Sequence, residues 1–166
     1  MSKMNIITGE GTDRREIPIT FRMGSESDKD RILVQYPYTK QVLNSGGYLI
    51  VAETEDEIIG FLWAFKRKIP APVEQNELFI NVIETFRADL RCRGIASEMI
   101  RELLLIAKEE KIYQIRAYCD IGNVPSHRLW LKNGFTISPV KLQDGTIPGS
   151  FVSLICKYNT AAAPRS

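Results

Sequence analysis

The chain has 166 residues, 44% of them hydrophobic, which is enough for one good core and short for two. Lysine and arginine number 22 against 20 acidic residues, so the formal charge of +2 gives no support for a nucleic-acid partner. No apolar run is long enough to span a bilayer, and the start Met1-Ser2-Lys3-Met4-Asn5 lacks the apolar stretch of a secretion signal, so a cytoplasmic protein without a membrane partner is expected. Cys92, Cys119 and Cys156 are odd in number and far apart, which suits reduced thiols better than a disulfide framework. With one histidine and no close cysteine pair, no metal site is expected.

In chain order, residues 1–20 are polar and hard to place. Phe21-Arg22-Met23 reads as a short first strand, and Ser27 or Asp28 as the cap of a helix running through Ile32 and Leu33 towards Tyr36. Pro37 breaks that helix, and Tyr38 to Asn44 reads as a second short one. Ser45-Gly46-Gly47 signals a turn before a strand from Tyr48 to Ala52; a polar hairpin loop, Glu53 to Glu57, joins it to an antiparallel partner from Ile58 to Lys66. The two prolines between Arg67 and Asn76 mark a loop. Strands follow at Glu77 to Phe86 and Ile112 to Cys119, and a hairpin of Phe135 to Leu142, an Asp144-Gly145 turn, and Phe151 to Tyr158 closes the order. Residues 159–166 read as a frayed tail.

Between the strand ending near Phe86 and an amphipathic helix stands Arg91-Cys92-Arg93-Gly94-Ile95-Ala96, which reads as a pyrophosphate cradle. A diphosphate needs converging backbone N–H donors, and a helix start at Ile95, Ala96 and Ser97 offers unpaired ones with the positive end of the macrodipole. Gly94 removes the Cβ that would hinder close approach and tolerates positive φ. Arg91 and Arg93 add charge, and Cys92 between them is a candidate oxidation-sensitive thiol. The bland alternative is a glycine that merely opens a helix beside solvated arginines. The helix itself is well marked, with Ile95, Met99, Leu103 and Ala107 on one stripe and Glu98, Arg101, Glu102 and Lys108 outside it.

Arg91, Gly94 and Ala96 match the Arg/Gln-x-x-Gly-x-Gly/Ala signature, and Asn123 to Phe135 resembles an Asn-led helix ending in Gly-Phe; together they resemble the GNAT superfamily of N-acetyltransferases. The resemblance implies an α/β (α+β) fold. It would be one domain over residues 21–158, with a mixed, mostly antiparallel sheet of about six or seven strands, splayed at a V-shaped acetyl-CoA cleft and flanked by about four helices. It implies acetyl-CoA as co-substrate, held by backbone groups near Glu84, Thr85 and Phe86, with the N–H near Phe86 facing the thioester carbonyl. The pyrophosphate would meet Arg91, Cys92, Arg93, Gly94, Ile95, Ala96 and Ser97, and Asn123, Ser126 and Trp130 would contact the cofactor. The acceptor would be a small-molecule amine or a protein amino group, and a homodimer is compatible with the family.

An amine attacks only after losing its proton, so a base is needed. Glu84 is the leading candidate, being an acid in a strand otherwise carrying Val82, Ile83 and Phe86; Glu77 and Asn81 are its rivals. Trp130 stands where many relatives carry a tyrosine acid, and an indole N–H is not a useful proton source, so protonation of the thiolate falls to water or another hydroxyl, with Ser126, one turn earlier, as one candidate. The only histidine, His127, reads as a partly exposed helix residue or a proton carrier. The second functional class is a CoA-binding sensor or interaction module that kept the cradle and lost turnover.

Overall fold

The computed structural model describes residues 1–9, 14–41, 43 and 46–156. Eight strands form one sheet: β1 (Ser2–Thr8), β2 (Arg15–Met23), β3 (Gly47–Glu53), β4 (Ile58–Lys68), β5 (Asn76–Thr85), β6 (Gln114–Asp120), β7 (Thr136–Val140) and β8 (Gly149–Ile155). Their order is β1-β2-β3-β4-β5-β6-β8-β7, and every pairing is antiparallel except that of β5 with β6. Among the described residues there are three α-helices, α1 (Glu26–Gln35), α2 (Ile95–Glu109) and α3 (Val124–Lys132), with a 3-10 turn at Pro37–Gln41 and a shorter one at Ala88–Leu90.

The N-terminal segment, which the sequence left unplaced, is a hairpin in this sheet. Ile6, Ile19 and Phe21 are buried at alternate positions, and Ile6 pairs with Ile17 across it. Phe21–Met23 is therefore the end of the second strand, and the strand count exceeds the expectation by one. The cap of α1 is Ser25 rather than Ser27 or Asp28. Its hydroxyl accepts from the Asp28 N–H while the Asp28 carboxylate accepts from the Ser25 N–H, a reciprocal capping box. The expected second helix is the 3-10 turn, and its last expected residue, Asn44, lies outside the described residues, as do the Ser45 turn residue, Tyr158 and the tail at 159–166.

Two cores flank the sheet. The larger gathers the α2 stripe of Ile95, Met99, Ile100, Leu103 and Ala107 with Trp130 of α3 and sheet residues such as Leu78, Ile80 and Val152. The smaller lies on the opposite face, where Ile32 of α1 meets Leu49, Val51, Phe61 and Trp63, with Val82 and Phe86 packed beside them.

Candidate active site

The parallel ladder between β5 and β6 is short, running only from Glu77 opposite Gln114 to Ile80 opposite Ala117. Beyond it β5 stays with β4 and β6 stays with β8, so the sheet opens into a gap. A bulge causes the parting: Trp63 pairs with Val82 and Ala64 with Ile80, which leaves Asn81 unopposed. An extra residue bends and twists its strand, and here it sits immediately after the last β5–β6 pair. It also reverses the alternation of side chains. Leu78 and Ile80 belong to the α2-side core, yet after the bulge Ile83 takes that side while Val82 and Phe86 pack against the α1-side core.

Glu84 consequently faces α1, where the Tyr38 hydroxyl donates to its Oε2 at 2.8 Å. Tyr36 stacks on Phe86 with ring centroids 3.5 Å apart and planes 14° apart, and Tyr38 meets Tyr36 edge-on. Burial, then the hydrogen bond to Glu84, pushes the Tyr38 phenol up to about 12; burial also raises Tyr36, helped by the charges of Glu57 and Glu84. Glu77, the rival acid, is only 3% exposed and lies at the closed end of the β5–β6 ladder, where it accepts from Arg67 and Gln114. Asn81 is exposed at the bulge.

The main chain at the gap differs from expectation in one respect. The Phe86 N–H donates to the Ile59 carbonyl at 2.8 Å and so does not face the gap. Because antiparallel bonds alternate, Glu84 also directs its main-chain groups to β4, whereas Ile83 and Thr85 direct theirs away from it. The sequence reading named Ile83 only as an apolar strand residue, since such a residue carries no sign of where its N–H points. The Thr85 carbonyl accepts from Arg91 Nε at 3.1 Å.

At the mouth of the gap α2 begins on Gly94, whose φ is 93°. Cys92, two residues earlier, is also in the left-handed region with φ of 59°, an uncommon conformation for a side-chain-bearing residue. The first intrahelical bond is Glu98 N–H to Gly94 carbonyl at 3.0 Å, so the N–H groups of Ile95, Ala96 and Ser97 precede the ladder. A Cβ on Gly94 would meet Met4 Cε at 3.4 Å and would be strained at that φ. Arg91, Cys92 and Arg93 are exposed; Arg93 donates to the Ile7 carbonyl at 3.1 Å, which ties the loop to β1. The Ser97 hydroxyl accepts from Asn133 at 3.0 Å and links α2 to the end of α3.

On α3, the Asn123 side chain caps the helix by accepting from Ser126 N–H at 3.1 Å. Trp130 is 2% exposed, packs 5.0 Å from Phe135, and donates its indole N–H to Ser126 Oγ at 2.9 Å. That bond uses a lone pair of Ser126 and leaves the hydroxyl proton free. His127 is partly buried, and its Nε2 has no hydrogen-bond partner among the described residues.

A cleft between splayed parallel strands, with a glycine-started helix at its mouth, now stands beside the sequence signature. The profile of the acetyltransferase (GNAT) family matches residues 14–135. The chain belongs to the GNAT acetyltransferase family. No curated protein sequence matches it significantly. Among solved structures, similar ones include Arabidopsis thaliana NAA60 in complex with a bisubstrate analogue (19% identity over 82% of this chain and 97% of that one, TM-score 0.62). Another is the ribosomal-protein-S18-alanine N-acetyltransferase from Escherichia coli (12%, 87% and 99%, TM-score 0.63). A third is a GNAT acetyltransferase from Elizabethkingia anophelis with acetyl-CoA bound (18%, 82% and 97%, TM-score 0.59). At these identities the likeness is one of fold. In this GNAT chain the family match takes in β2 and leaves β1 before it. Among its described residues no group of three His, Cys, Asp or Glu could hold a metal, and no helix is long and apolar enough to cross a membrane.

Proposed function

We propose that this GNAT protein transfers an acetyl group from acetyl-CoA to a primary amine, with the β5–β6 gap as the place of transfer. The observation that carries the reading is the junction of three features: the end of the parallel ladder at Ile80 and Ala117, the left-handed start of α2 at Gly94, and Arg91 spanning from that start to the Thr85 carbonyl. The residues fit a diphosphate. Ile95, Ala96 and Ser97 offer N–H groups, Gly94 leaves room for them to be approached, and Arg91, Cys92 and Arg93 line an exposed rim on which two guanidinium groups can turn to phosphate oxygens. Two neighbours named above or related to them were solved with acetyl-CoA, which supports the choice of acyl carrier.

Acetyl-CoA supplies an acyl group activated as a thioester. The backbone groups of Ile83 and Thr85 hold its arm in the manner of an added strand, and one of their two N–H groups donates to the carbonyl oxygen on which negative charge grows, an effect worth about 3–4 kcal/mol in other enzymes. Glu84 takes the proton from the acceptor amine. Its Oε2 is fixed by Tyr38, and no hydrogen bond among the described residues engages Oε1, which is the oxygen free to receive that proton. Phe86 contributes its ring rather than its N–H, forming with Tyr36 the apolar wall beside the base. On the other lip, Asn123 shapes the start of α3, and Trp130 orients Ser126 so that its hydroxyl can donate a hydrogen bond to the departing thiolate, which leaves as the thiolate and takes its proton from water.

Release of free thiol from acetyl-CoA, measured against a panel of amines and peptides, tests the reading. We expect amine-dependent release that falls by two or more orders of magnitude in Glu84→Gln and whose KM for acetyl-CoA rises in Arg91→Ala. Saturable binding with no release from any acceptor points instead to a CoA-binding sensor.

A further inference from the structure

The face that carries Glu84 continues down the sheet. Glu77 and Phe79 of β5 lie on it, and so do Arg116 and Tyr118 of β6, because Leu78, Ile80, Ile115, Ala117 and Cys119 all point into the opposite core. Among the described residues, the strands that the core beneath α1 draws on are β3, β4 and the end of β5, so this lower strip is left partly open by it. Tyr118 is 40% exposed, and the Arg116 side chain 28%.

Arg116 is the residue without an assigned task. Glu77 accepts from Arg67 Nε through Oε1 at 2.5 Å and from Gln114 Nε2 through Oε2 at 2.6 Å, while Arg116 stands off at 3.8 Å. Its guanidinium lies 4.6 Å from the centroid of Phe151 and makes no hydrogen bond among the described residues. Arg67 is likewise held over Phe79, at 4.2 Å. Two guanidinium groups against one carboxylate leave a net positive charge, and a planar cation fixed on a ring, 3.8 Å from its nearest carboxylate and without a hydrogen bond to it, can take a second carboxylate.

We infer that the acceptor is an extended peptide whose amino terminus meets Glu84 and whose acidic side chain, some residues on, meets Arg116. The inference rests on reading Glu84 as the base beside the amine. Arg116 pairs across the ladder with Phe79, so the span to Glu84 is roughly 15 Å at about 3.3 Å per strand residue. An extended chain covers that in about four residues. Tyr118 flanks the path with an exposed ring against which a peptide backbone packs.

Equilibrium binding separates this from turnover. Peptides with free amino termini and a dye at the C-terminus, identical except for a glutamate walked from the second to the sixth residue, are titrated by fluorescence anisotropy into CoA-saturated protein beside their glutamine counterparts. We expect the glutamate peptide to bind at least tenfold tighter near the fourth residue, and the advantage to shrink to within twofold in Arg116→Gln while Arg116→Lys retains part of it. Equal binding of glutamate and glutamine peptides at every position, or an advantage that survives Arg116→Gln, overturns the inference. Should Arg116→Gln fail to fold, as thermal melting would show, the wild-type advantage must still fall as salt is raised, and a salt-independent advantage overturns it. Absence of thiol release bears on the acetyl-transfer reading and leaves this preference untouched.

Discussion

At the scale of single residues, the account turns on where one proton goes. Glu84 on the α1 face, pinned through Oε2 by Tyr38, predicts a loss of about 10²–10⁴ in kcat for Glu84→Gln with acetyl-CoA affinity retained, measured by thiol release and calorimetry. Tyr38 and Tyr48 carry a second prediction. Each is raised to about 12, chiefly by burial and then by its hydrogen bond to Glu84 or Glu110. A raised phenol favours the folded state below the ordinary tyrosine range and loses that contribution as pH rises from about 10 to 12. Ultraviolet titration should show the Tyr36, Tyr38 and Tyr48 phenols ionising late, and one fewer late phenol in Tyr38→Phe; a titration with no late phenol would contradict it. The glycine-opened helix start beside Arg91 and Arg93 was legible in the sequence because its signals are local. The N–H of Phe86 was not, because its partner Ile59 and the bulge at Asn81 that reverses the side-chain alternation are properties of the pairing between strands.

At the scale of elements, α2 was readable from its apolar stripe and α3 from Asn123 and Gly134, since helix faces and caps are written within a few residues. The N-terminal hairpin was not, because its alternation of Ile6, Ile17 and Ile19 is short and set among polar residues, and only the larger core shows what it packs on. The start of α1 joins three elements. Arg22 of β2 is held by Asp28 of α1 and Glu53 of β3, and Asp28 also closes the capping box with Ser25. Ser25→Ala should cost about 1 kcal/mol in urea unfolding. Asp28→Ala should cost more, about 2–3 kcal/mol, since it removes the cap bond and a nearly buried ion pair together. A smaller effect for Asp28→Ala than for Ser25→Ala would contradict this assignment.

At the scale of the whole molecule, the same Asp28 sets an acid limit. Its hydrogen bond to Arg22 holds the carboxyl well below the usual range, against the opposing effect of burial. A depressed acid stabilises the fold above its ordinary pKa and loses that contribution as pH falls below about 4. Thermal melts from pH 6 downward should therefore fall more steeply for the wild type than for Asp28→Asn.

The sheet, its gap and the helix at the mouth amount to one claim: the start of α2 holds the diphosphate of acetyl-CoA and thereby fixes the acyl group over Glu84. Isothermal titration of CoA into the wild type and into the Arg91→Gln, Arg93→Gln double variant tests it most directly, because both side chains are exposed and their loss leaves the core intact. Two charge-assisted phosphate contacts predict a loss of at least tenfold in affinity, with only the small fall in melting temperature that loss of the bonds to the Thr85 and Ile7 carbonyls brings. An affinity equal to that of the wild type would place the diphosphate elsewhere and contradict the account.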